Sequence, residues 1–176
     1  MANDNVPSGF TPWGPLLTVR SFSVAGSDLF PTFIGDVMGL LDTGYVTAVA
    51  GGSTLICGSS LSFVTGSVAG TVRVACDPNQ LFWAQDTSAA GTLTITHCGG
   101  LTDHLYAAGS LSTKRSKTVL NSGTNGWTAA AAGWELIGLH DRTNSDGTLN
   151  AYSATSPKVV VIAGEHHFKA AIAGGY

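Results

Sequence analysis

Three of the chain's six prolines, Pro7, Pro12 and Pro15, fall within its first fifteen residues, interleaved with Phe10 and Trp13. Each proline fixes φ and removes a backbone donor, so neither a helix nor a central strand can run through this stretch. The residue before each proline is also pushed toward extended conformations. This is the pattern of an extended arm, residues 1–17, ahead of a folded domain over residues 18–176. Val6, Pro7, Phe10, Pro12, Trp13 and Pro15 are the candidate contact residues of that arm. A Phe or Trp buries about 150–250 Å² when it finds a site. The arm therefore folds back on its own domain or lies along another subunit, and a chain built to reach a neighbour belongs to an assembly.

With 176 residues the chain fits one domain that needs no staples. Only 11% of residues are charged, against about 25% in ordinary soluble domains. Chains that stay unfolded combine high charge with few apolar residues, and this one does not. Low charge fits either a bland β-rich surface or a surface largely covered by other subunits, because interface cores are depleted in charge. The one basic cluster is Lys114, Arg115 and Lys117, and the overall pI is about 5.9. That is no nucleic-acid stripe. No apolar run is continuous enough for a membrane helix. The N-terminus has neither a basic region nor an apolar run, which predicts no signal peptide. Cys57, Cys76 and Cys98 are an odd set without close pairing, which predicts buried thiols and folding in a reducing cytoplasm.

Period-two alternation is the main signal along the rest of the chain. It predicts strands over residues 17–24 (with one break in phase), 71–75 and 92–97, the last with Leu93 and Ile95 on one face. Shorter runs at 45–50, 61–65, 81–84 and 135–139 predict further strands. Residues 158–163 lack alternation, which suits a strand buried on both faces. Turn clusters at Gly51-Gly52-Ser53, Asp77-Pro78-Asn79 and Asn144-Ser145-Asp146-Gly147 separate these runs. The expected fold is all-β, a single β-barrel or jelly-roll-like β-sandwich. Helix is expected for a turn or two at most, near residues 128–134.

No catalytic, cofactor or metal site emerges, and the chain is not expected to be an enzyme. Glu165-His166-His167 offers three ligand types, but successive strand residues point to opposite faces. His97, Cys98, Asp103 and His104 form a dense group whose spacing fits no usual zinc pattern. An EF-hand register on Gly147 would put a cation, Arg142, at position 1 and Ser153 at position 12, where a carboxylate is needed. That loop reads as a turn. No nucleophile elbow or phosphate loop is present, and no small-molecule substrate is implied.

Several motifs occur in an order that resembles tailed-bacteriophage head decoration (capsid cement) proteins. They begin with Pro7-Ser8-Gly9-Phe10-Thr11-Pro12. Gly35-Asp36-Val37 and Asp42-Thr43-Gly44 follow. The central segment from Cys76 to Asp86 leads from an aspartate-proline turn through Leu81-Phe82-Trp83 to Gln85-Asp86. The series closes with residues 136–139, Asp146-Gly147, the strand at 159–162 and His166. The chain departs from the pattern at residues 161–164 and over 103–122. The resemblance implies a homotrimer on the outer surface of a virion capsid, made in the host cytoplasm. It would bind the major capsid protein at three-fold or quasi-three-fold positions and stabilise contacts between capsid subunits. A β-sandwich receptor- or carbohydrate-binding module, with Trp127 and Trp134 as an aromatic platform, is the alternative. A small hydrolase or metalloenzyme is the third.

Overall fold

Short runs of β-branched and aromatic residues, cut by glycine and aspartate turns, give a chain of brief strands in the computed structural model. It describes residues 5, 7–25, 28, 30–51, 56–89, 92–127, 133–141, 143–144, 147–164 and 166–168. In chain order the strands are β1 (Thr11–Trp13), β2 (Val19–Val24), β3 (Val37–Leu40), β4 (Val46–Ala48), β5 (Gly58–Ser60), β6 (Gly70–Ala75) and β7 (Leu81–Gln85). Then follow β8 (Leu101–Thr102), β9 (His104–Leu105), β10 (Val119–Leu120), β11 (Trp134–Leu139) and β12 (Lys158–Ala163). One helical turn, α1 (Ser122–Asn125), and a 3₁₀ turn (Ile95–His97) are the helical elements among the described residues. The all-β expectation holds, and two sheets pack as a sandwich.

One sheet has the order β1-β7-β12-β11-β8 and the other β2-β6-β5-β3-β4, with antiparallel pairing throughout; β9 and β10 form a separate ribbon. The second sheet is contiguous in sequence over residues 19–75. It curls until its edge strands β2 and β4 approach one another. Inside the curl sit Val24, Met38, Val46, Val72 and Val74 with the thiols of Cys57 and Cys76. Burial pushes the Cys57 thiol up to about 12 and raises Cys76 as well, so both are poor nucleophiles. Cys98 is exposed, against the expectation of a buried thiol.

The main core lies between the sheets and is built from alternate residues. Phe82 and Ala84 of β7, Trp134 and Leu136 of β11, and Val159, Val161 and Ala163 of β12 meet Val37 and Ala75 from the curled sheet and Ile56 just ahead of β5. The continuous apolar run of β12 is buried on both faces, as its lack of alternation predicts.

Residues 92–97 are not a strand. Leu93 is buried, but Ile95 is 70% exposed and begins the 3₁₀ turn. The Thr94 N–H donates to His97 Nδ1 at 3.0 Å, a local bond that competes with strand pairing. Residues 61–65 contribute only an isolated bridge, Thr32 to Val64, and the strand lies just ahead of them as β5. Most of the 128–134 segment lies outside the described residues, and its end, Trp134, opens β11.

Candidate attachment site

The N-terminal segment meets the proline constraint by becoming an edge. Among the described residues β1 pairs only with β7, Pro12 opposite Phe82, so the missing donor of Pro12 interrupts no second ladder there. Before β1, Gly9 adopts φ +70° and lies against Gly35, itself at φ +93°. A Cβ on Gly9 would stand 2.4 Å from the Gly35 carbonyl oxygen, and one on Gly35 would stand 2.7 Å from the Ser8 carbonyl oxygen. Two backbones therefore touch where only glycines fit. The Phe10 N–H donates to the Gly35 carbonyl at 2.8 Å, and the Ser59 hydroxyl donates to the Phe10 carbonyl at 2.5 Å.

This seats Phe10 in the main core. Its ring is fully buried, stacked on Trp134 at 4.3 Å and edge-on to His104 at 6.1 Å. The expectation that Phe10 serves a neighbouring subunit is therefore corrected: it is a core residue of its own chain. From Phe10 to Trp13 the segment is a strap that touches both sheets. Val6 lies outside the described residues. Pro7 and Pro12 are half-buried against the domain, and Pro15 is exposed.

The exposed side of the strap is apolar. Trp13 is 39% exposed, Leu16 52% and Leu17 51%. The His140 ring lies 6.3 Å from Trp13 and 5.4 Å from Trp83. Gln80, itself buried, holds this edge down. Its Oε1 accepts the Leu17 N–H at 3.1 Å, and its Nε2 donates to the carbonyls of Trp13 at 3.3 Å and Leu81 at 2.9 Å. The Thr18 hydroxyl and the Asn79 N–H donate to the Asp77 carboxylate, each at 2.9 Å, and hold it below the usual carboxylate range. Leu16, Leu17 and Gln80 escaped the sequence reading; the only signal was an apolar pair directly after Pro15. Replacing Gln80 with Ala removes the partner of the Leu17 N–H and a donor to each of the Trp13 and Leu81 carbonyls. We expect a loss of about 1–3 kcal/mol, with faster amide exchange at Trp13 and Leu17; unchanged exchange there would deny Gln80 its role.

Beside the strap lies a groove of about 520 Å³ lined by Asn5, Pro7, Ser8, Thr113, Arg115 and Lys117 among others. Arg115 is anchored by bridges to Ile34 and Ser110, so the basic cluster has a fixed backbone next to the strap. Beneath the Gly9–Gly35 contact sits Asp36, fully buried. Burial pushes its carboxyl up to about 6, and hydrogen bonds from Ser116 and the Phe33 N–H offset this only in part.

The other candidate ligands do not converge. Asp103 Oδ1 lies 3.3 Å from His104 Nδ1 in a buried pair, and His104 Nε2 donates to the Val49 carbonyl at 2.9 Å. His97 and Cys98 lie at the surface, where Cys98 faces the Tyr152 hydroxyl. His166 is buried against Phe168, and Glu165 lies outside the described residues. Among the described residues no three His, Cys, Asp or Glu side chains are grouped to hold a metal ion. No described helix is long and apolar enough to cross a membrane. Trp134 is fully buried and Trp127 packs against the core, so these two do not form an exposed platform. No protein-family model, curated protein or solved structure matches the chain.

Proposed function

We propose that this chain is a capsid decoration protein, a homotrimer that binds the major capsid protein on the outside of a phage head and stabilises contacts between capsid subunits. The observation that carries this reading is the apolar edge of Trp13, Leu16 and Leu17, held in place by Gln80 on a strap that is locked from beneath. Its fastening residues differ from those expected of a free arm, since Phe10 is committed to the core. The motif order and the charge-poor composition support the same reading. Each apolar contact adds about 25 cal/mol per Å² buried, and three copies acting together raise avidity through effective concentration.

Deleting residues 1–15 would remove Phe10 from the core and confuse attachment with folding. Surface substitution separates the two. The W13S/L16S/L17S variant is expected to keep the wild-type far-UV spectrum and to lose cosedimentation with capsids by at least about tenfold, which corresponds to 1.4 kcal/mol. Light scattering of the wild type is expected to give a trimer mass. Full capsid binding by the folded variant, or a monomeric wild type, would sink the reading.

A further inference from the structure

The outward face of the β7-β12-β11 sheet is buried at one end, and the buried groups there are polar. Gln85 pairs with Lys158 across β7 and β12, and on the other side the His140 N–H donates to the Lys158 carbonyl at 2.9 Å. Lys158 is only 3% exposed. The loop after His140 is tied down around it. Asn150 Nδ2 donates to the carbonyls of His140 at 2.7 Å and Lys158 at 2.6 Å, while its Oδ1 accepts the Lys158 N–H at 3.0 Å. The Asn144 N–H donates to the Thr148 carbonyl at 2.8 Å.

Within this enclosure Lys158 Nζ donates to Asn144 Oδ1 at 3.3 Å, and Asn144 Nδ2 donates to the Thr148 hydroxyl at 3.1 Å. The carboxamide is thus gripped at both ends, with its carbon one bond from the atom that the amine already touches. Fixed proximity lowers the barrier to a reaction that is slow between free partners.

We propose that Lys158 and Asn144 are joined by an intramolecular isopeptide bond. Neutral Nζ attacks the Asn144 side-chain carbonyl carbon, the Nζ–Cγ bond forms and the Cγ–Nδ2 bond breaks. One Nζ proton ends on Nδ2, which leaves as ammonia. The Thr148 hydroxyl, already bonded to Nδ2, is placed to pass a proton to the departing nitrogen. Neither oxidant nor cofactor is consumed.

The test is the denatured mass of the full-length wild-type protein after incubation in the folded state at neutral pH. The expected mass is about 17 Da below that of the sequence, the loss of one ammonia. Trypsin should fail to cut after Lys158, leaving one peptide over residues 143–169 with the same deficit. K158M and N144A should each restore the full mass. An unmodified wild-type mass would overturn the proposal, whatever the variants do. So would a deficit that leaves cleavage after Lys158 intact or disappears in alkaline hydroxylamine, because either marks a succinimide at Asn144.

Discussion

Replacing Phe10 with Ala is expected to destabilise the protein by about 3–5 kcal/mol, the range for deleting a buried aromatic ring. The ring is fully enclosed, stacks on Trp134 and touches a core shared by both sheets. The cavity it leaves cannot collapse easily, because the backbone on either side is pinned through Gly35 and Ser59. Chemical denaturation followed by tryptophan fluorescence measures the change, with Trp134 reporting locally. Trp13→Ala, at a half-exposed position in the same strap, should cost less than about 1 kcal/mol. If the two variants were equally stable, Phe10 would not be part of the core.

The second large effect is one of pH. Asp36 has a folded-state pKa of about 6 against an ordinary 3.8. The folded state therefore holds a proton that the unfolded chain has already released. Its favourable contribution is complete below about pH 4 and lost as pH rises through about 6. The difference in pKa corresponds to about 3 kcal/mol. Asp86 is also raised by burial and acts with the same sign, whereas Asp77 is lowered and favours folding only while ionised. Stability should therefore peak in mildly acidic solution and decline toward neutral pH. Asp36→Asn, which keeps an acceptor for the Phe33 N–H, should flatten most of that decline and raise neutral-pH stability. Unfolding midpoints at several values between pH 4 and 8 decide this. An equally steep decline in the variant would mean that Asp36 is not the source.

The legible parts of the fold are those where side-chain pattern and pairing agree. β6 alternates because one face lines the curled sheet and the other meets water, and β12 fails to alternate because both faces are covered. Residues 92–97 misled because alternation does not reveal that Thr94 and His97 bond to each other. The two-residue strands β8, β9 and β10 are too short to show any period. The proline pattern announced an extended segment and excluded a central strand, but showed neither its place at a sheet edge nor its partner. An apolar ring looks the same in sequence whether it enters its own core or another subunit's. What decided it was the Gly9–Gly35 contact, between residues far apart in the chain. The Lys158–Asn144 approach was equally hidden, since one residue read as the start of a strand and the other as a turn.

The strap has a consequence for the order in which the protein forms. The curled sheet is complete once residue 75 has left the ribosome, whereas its partner needs residues 134–163 before the central β12 can stand between β7 and β11. Residues 11–13 emerge well before β7, yet wait for β7 to be made before they can pair. Contacts so distant in sequence form slowly because loop closure precedes any gain. Trp13 thus waits for β7 and Phe10 for the ring of Trp134, and the later of the two sheets is the one that completes their shelter.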